Sequence, residues 1–287
     1  MEKTTSGWLN GFAGIVIFAG SLPATRVAVV DFTPTFLTCA RAMIAALLSL
    51  VCLLLFRENR PKAADLPSLA LSSLGCVVGY PLLTALALQH ITSAYSIVFT
   101  GLLPLCTAFF AVLRSGERPR PIFWVFSVLG AAFVIGYAAV SSVETSLQGN
   151  LLMLAAIIVC GLGYAEGGRL SRTLGGWQVI SWSLVLSLPI MLPVVLLTMP
   201  VSFAHVGVPA WIGLAYVSLF SMLLGFVFWY RGLAQGGIAA VSQLQLLQPF
   251  MALGIAALLL HEKVSATMLL VMLAAVICVA GAKRFAK

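Results

Sequence analysis

Apolar runs of about twenty residues follow one another along this chain, separated only by short stretches that carry the charges and turn formers. A bilayer core of about 30 Å takes roughly 20 apolar residues per helix. Only helices or closed barrels satisfy every backbone group in lipid. Ten segments qualify, at about 8–30, 34–56, 67–90, 92–113, 121–140, 150–172, 177–199, 209–235, 237–260 and 265–284. The breaks read DFTP, RENRPKAADLP, QHITS, RSGERPRP, SSVETSLQGN, RTLGGW, MPVSFAHVGVP, QGG and HEKVS, the Gly, Pro and charge mixture of turns. Charged residues make up 8% of the chain, against about 25% in a soluble domain, so lipid is the solvent for most of the surface. The expectation is an all-α membrane protein of ten transmembrane helices, with antiparallel neighbours and no inserted soluble domain.

The net charge of +8 suggests nucleic acid only until its distribution is read. The basic residues punctuate the gaps between apolar runs and line no single face, which excludes nucleic acid as a partner. With a cytoplasmic N-terminus, the inner side receives Lys3, Arg57, Arg60, Lys62, Arg114, Arg118, Arg120, Arg169, Arg172, Arg231, Lys283, Arg284 and Lys287. The outer side receives Arg26 and Lys263, and Arg41 falls within the second span. Thirteen against two is a strong positive-inside asymmetry, so both termini are expected in the cytoplasm and the protein in the inner membrane. The six cysteines (Cys39, Cys52, Cys76, Cys106, Cys160, Cys278) lie inside apolar runs without metal-ligand spacing and read as small buried hydrophobes, so no metal or cofactor is expected.

A shift of 145 residues superposes Pro104 on Pro249, Glu117 on Glu262 and Gly136 on Gly281. The pattern of a proline, a glutamate thirteen positions later and a glycine nineteen positions after that thus occurs twice. GSLPAT at 20–25 also resembles LGYAEG at 162–167, so residues 8–30 are expected to belong to the fold and not to a cleaved leader. The expected division is 1–145 and 146–287, each with five spans. Five is odd, so the second copy must cross the membrane upside down. RSGERPRP then faces the cytoplasm and keeps three arginines, while the Glu262 stretch faces outside with one lysine. Inverted repeats of this kind characterise secondary transporters.

FAGSLPATRVAV followed by FLTCARAMIAALL resembles the opening of ten-helix EamA-type members of the drug/metabolite transporter superfamily, and the SGERP and LHEKV turns match that family's glutamates at the fourth-to-fifth and ninth-to-tenth helix junctions. The resemblance covers essentially the whole chain and is nearest to bacterial inner-membrane amino-acid and metabolite exporters. It implies a pseudo-symmetric bundle around a central cavity lined by helices 1, 3, 4, 6, 8 and 9, with helices 5 and 10 outside. The second half departs from symmetry by carrying no arginine that matches Arg41.

Polar residues at membrane depth are costly and therefore informative. The candidates for contact with a solute are Ser21, Tyr80, Thr84, Tyr95, Phe99, Thr100, Tyr164, Trp229, Ser242 and Gln245. Gln245 is the symmetry mate of Thr100, and Trp229 that of Thr84. Each has a plain alternative, helix–helix hydrogen bonding for the glutamine and packing for the aromatics. Tyr95, Phe99, Tyr164 and Trp229 could offer flat surfaces to an apolar or aromatic side chain. Pro23, Pro81, Pro104 and Pro249 are candidate helix breaks. Gly75 and Gly79 form GxxxG and read as a close-packing face.

Of the eight acids, Glu166 alone lies inside a span, three residues from Arg169, where an i,i+3 ion pair accounts for it; it is also the fallback proton carrier. With no carboxylate at mid-depth, the expectation is uncoupled or weakly coupled export. Arg41 either braces helix packing or attracts a carboxylate. The lack of further deep cations argues against phosphorylated solutes. The expected activity is export of a small zwitterionic or neutral metabolite, an amino acid above all, by a functional monomer in contact with membrane lipid. A proton-coupled multidrug exporter and an integral-membrane enzyme are the alternatives. The second lacks support, since neither HExxH nor GxSxG occurs.

Overall fold

The computed structural model describes residues 2–87, 90–91, 99–140, 146–260 and 266–286, and no strand occurs among them. In chain order the α-helical segments are α1 (Glu2–Ala19), α2 (Ser21–Ala28), α3 (Pro34–Leu55), α4 (Leu66–Ser72) and α5 (Tyr80–Ala87). Next come α6 (Leu103–Ser115), α7 (Pro121–Val140), α8 (Leu147–Leu170) and α9 (Gly176–Thr198). The last are α10 (Val208–Tyr216), α11 (Phe226–Gly236), α12 (Ile238–Ser242), α13 (Gln248–Leu260) and α14 (Ala266–Phe285). Among the described residues, six helical runs are long and apolar enough to cross a membrane: Thr4–Thr25, Pro34–Leu55, Ala63–Ala87, Leu147–Leu170, Gly176–Thr198 and Val208–Gly236. Leu103–Ser115 and Pro121–Gly136 are shorter apolar helices.

Local chemistry sets many of the ends. Thr33 caps α3 by accepting the Phe36 N–H at 3.3 Å, with Pro34 in the first turn where a missing N–H costs nothing. Ser146 caps α8 through Gly149 N–H in the same way. α6 stops at Gly116 in the left-handed conformation (φ 66°), which turns the chain so that Glu117 points back at the bundle.

Several rods are interrupted inside the apolar runs. Residues 73–79 and 217–225 form π-helical turns, residues 243–247 a 3₁₀ turn, Gly101 and Leu102 a plain turn, and Gly20 separates α1 from α2. Pro23, Pro81, Pro104 and Pro249 each fall within the first three residues of the segment after such an interruption. A proline tolerated in a first turn but not in a helix interior therefore begins a new segment here. At Gly20 the Tyr216 ring packs into the space a Cβ would fill, and its hydroxyl donates to the Ile17 carbonyl at 3.0 Å.

The start of α6 (Leu103) recurs 145 residues later as that of α13 (Gln248). Those of α3 and α4 (Pro34, Leu66) recur 142 residues later in α9 and α10 (Gly176, Val208). The two π turns fall at matching places. Packing follows the same exchange: α1 lies along α11, while the third rod (its π turn and α5) lies along α8; α3 pairs with α9 and α7 with α14. Small residues let the backbones approach, with Gly11 against Gly232 in one crossing and Gly75 against Gly163 in the other. Large apolar side chains such as Leu54, Leu129, Leu196 and Leu273 are exposed on the outer faces, as expected where lipid replaces water.

Candidate functional site

One end of the bundle is bound together by charge. Glu117, presented by the α6–α7 turn, accepts the backbone N–H groups of Ile238 and Ala239 at 2.9 Å each and pairs with Arg172. These N–H groups belong to the first turn of α12, which has no partners of its own there, and Gly237 (φ 95°) makes the bend that aims them. Glu166 is fully buried and holds Arg169 at 2.7 Å and Arg114 from α6; Arg169 also donates to Ser68 at 2.7 Å. Around this end, Ile238–Leu246 and Gly163–Gly168 are buried throughout.

Trp229 of α11 and Gln245 of the 3₁₀ turn lie six or seven residues inward from Gly236 and Ala239, about 10 Å at 1.5 Å per residue, and Tyr164 of α8 joins them from just beyond Glu166. Tyr164 and Trp229 stand edge to face at 5.5 Å, with Phe226 6.0 Å from Tyr164 and Phe18 6.3 Å from Trp229. Trp229 is 0% exposed, yet its indole N–H has no acceptor. Gln245 is buried with both ends of its amide unpartnered. A buried polar group without a partner costs about 1–3 kcal/mol, so several in one layer mark a place where the partner comes from outside the chain.

A second tier lies roughly 20 Å from the Glu117 end and is half-buried: Ser21, Tyr80, Thr84, Phe99, Thr100 and Arg41. The Ser21 hydroxyl and Arg41 Nε are buried without partners, while the Thr84 hydroxyl faces that of Tyr80 one turn away. Tyr80 lies within electrostatic reach of both Arg41 and Tyr164, which links the two tiers. Phe99 packs beside Ala87, Ile91 and Met153.

The expected residues thus separate into kinds. Tyr164 and Trp229 are brought together, and Gln245 is buried at their depth. Ser242 is tied up: its hydroxyl donates to Ala239 O at 2.9 Å and Pro104 O at 3.4 Å, joining α12 to α6. Glu166 has the expected Arg169 partner and, beyond expectation, Arg114. Tyr95 and Glu262 lie outside the described residues. Sequence reasoning missed the Glu117 carboxylate as a helix cap, since no local pattern shows a contact across more than a hundred residues. Gln243, polar in the same apolar run, donates from its buried amide to Ala239 O at 3.4 Å while its oxygen has no partner. A second omission is a buried chain from Ser183 to Ser72 (3.1 Å) to the Tyr230 hydroxyl (2.7 Å), joining three rods. Among the described residues no group of His, Cys, Asp and Glu could hold a metal ion.

The EamA-like transporter family model matches residues 5–138 and 147–282. A Bacillus subtilis (strain 168) protein named "Uncharacterized transporter YdeK" is 62% identical over 287 residues, covering 100% of both chains. A Streptantibioticus cattleyicolor protein named "Probable terminal-alkyne amino-acid exporter" is 25% identical over 86% of this chain and 83% of its own. "Uncharacterized inner membrane transporter YedA" of Escherichia coli (strain K12) is 27% identical over 57% of this chain and 54% of its own. One solved crystal structure covers 97% of this chain and 96% of its own with a TM-score of 0.81 at 18% identity, which shows a shared fold.

Proposed function

The chain belongs to the EamA-like transporter family, and on that premise we propose that it exports a small zwitterionic or neutral metabolite, an amino acid above all, across the bacterial inner membrane. It is a membrane transporter and not an enzyme. The observation that carries the substrate site is the layer of unpartnered buried polar groups, Trp229 Nε1 and both ends of the Gln245 amide, beside the Tyr164–Trp229 pair. In this reading the aromatic pair receives an apolar side chain, and Gln245, Thr84 and Ser21 complete the polar end. The amino-acid assignment is supported by the name of the Streptantibioticus relative, and the inner-membrane location by that of the Escherichia one.

Two inverted five-helix halves, 1–145 and 146–287, are the framework proposed for alternating access. The recurrence of helix starts and π turns and the exchange-symmetric pairing support it. A form closed on the Glu117 side is supported by the continuous burial of Ile238–Leu246 and Gly163–Gly168, against the half-burial of Thr84 and Thr100 on the other side. The thirteen-to-two distribution of basic residues supports placing the closed side and both termini in the cytoplasm. Both carboxylate oxygens of Glu166 are occupied by arginines, which supports a structural role for it and export that is uncoupled or weakly coupled. The fused halves support a functional monomer.

Counterflow into proteoliposomes across a panel of amino acids tests the reading. Saturable uptake of at least one hydrophobic or aromatic member, insensitive to an imposed proton gradient, is expected. Obligatory proton movement would favour the coupled alternative, and inactivity towards every amino acid would remove the substrate assignment.

A further inference from the structure

Outside the solute site, α1, the α6–α7 turn, the α11–α12 junction and the end of α14 line a cavity of about 410 Å³. Its lining includes Trp8, Glu117, Arg118, Gly237, Lys283 and Arg284. Glu117 is already committed to Arg172 and to two backbone N–H groups, so it leaves the cations beside it uncompensated. Among the described residues, Arg118, Lys283 and Arg284 have no carboxylate within ion-pair distance. Lys283 Nζ is held 4.7 Å from the centroid of the buried Trp8 ring, and the Arg284 guanidinium lies 5.8 Å from that of Phe285. Aromatic contacts position a cation without neutralising it. The backbone bond from Arg120 N–H to Phe285 O at 3.3 Å fixes the start of α7 to the end of α14, so the three cations share one rim.

We propose that this cavity binds the phosphate headgroup of an anionic phospholipid. A free anion would need only the cations; what favours a lipid is the surface leading away from them. Leu273, Ile277, Ala280 and Arg284 follow at i, i+4, i+7 and i+11 on one face of α14, and all are exposed. They form an apolar stripe along the membrane-facing side that ends at Arg284, the arrangement an acyl chain and its headgroup require. Basic pockets between membrane helices bind acidic headgroups by this chemistry. The site also borders Glu117 and Gly237, so its occupant lies against the contact that closes this end.

The test uses the full-length protein purified in detergent, with lipid retention read by native mass spectrometry and stability by thermal unfolding. Phosphatidylglycerol is expected to be retained over phosphatidylcholine by at least about tenfold and to raise the unfolding midpoint. The variant Arg118→Gln/Lys283→Gln/Arg284→Gln should lose that preference. A control that removes the same charge elsewhere, Arg57→Gln/Arg60→Gln/Lys62→Gln, should keep it. Equal retention of the two lipids, or equal loss in both triple variants, would overturn the site. Inorganic phosphate giving the same stabilisation at the same concentration would overturn the lipid assignment. Each readout is independent of transport.

Discussion

At the Glu117 end two acids are matched: Glu117 by Arg172 and two N–H groups, Glu166 by Arg114 and Arg169. About 10 Å further in, Trp229 and Gln245 are buried and have no polar partner. Glu166 is as deeply buried as Trp229, so burial alone does not explain why one is matched and the other is not. Matched polar groups fix geometry; unmatched ones retain binding capacity. The comparison therefore separates a closing contact from a receiving surface.

The largest expected effect comes from stripping the matched region. Replacing both Arg114 and Arg169 by alanine leaves Glu166 buried without an ionic partner, a loss of about 3–5 kcal/mol that lowers the unfolding midpoint in detergent. Glu166→Ala should cost less, because the stranded arginines are 48% and 40% exposed and remain partly hydrated. If Glu166→Ala proved the more damaging, the assignment of a buried acid served by two half-exposed bases would fail.

Glu117→Ala should destabilise by about 1–3 kcal/mol and loosen the start of α12. A cysteine at Ala239 should then react faster with a membrane-impermeant maleimide, and an unchanged rate would separate the cap from closure. Within the receiving region, Trp229→Phe keeps most of the aromatic contact and removes only the unpartnered N–H. Transport is expected to fall roughly tenfold, the equivalent of one hydrogen bond of about 1.4 kcal/mol, with the unfolding midpoint unmoved. The smallest effect belongs to Ser242→Ala, whose hydroxyl serves backbone carbonyls: about 0.5–1.5 kcal/mol of stability and little change in apparent affinity.

The two regions were unequally legible in the sequence. Apolar runs located the long rods, because lipid forces long apolar helices. Observed helices such as Pro34–Leu55 and Gly176–Thr198 fall within a residue or two of the expected spans. The repeat markers singled out Glu117 without revealing its task, since its partners Ile238 and Ala239 are distant in the chain and donate through backbone, which carries no residue signature. Gln245 was visible as a polar residue in an apolar run. Ser242 and Gln243, visible for the same reason, turned inward to carbonyls, a distinction that depends on the 3₁₀ winding of residues 243–247 and not on composition. The π turns at 73–79 and 217–225 left no mark that a hydrophobic pattern could show.

The most direct measurement replaces Gln245 by leucine, similar in volume but unable to hydrogen-bond, and compares amino-acid counterflow and unfolding midpoint with the parent protein. Transport at least about tenfold lower, with a midpoint unchanged or raised because a buried unsatisfied amide is gone, is the predicted result. Undiminished counterflow at the parent's apparent affinity would contradict the claim that the unmatched layer is where the solute binds.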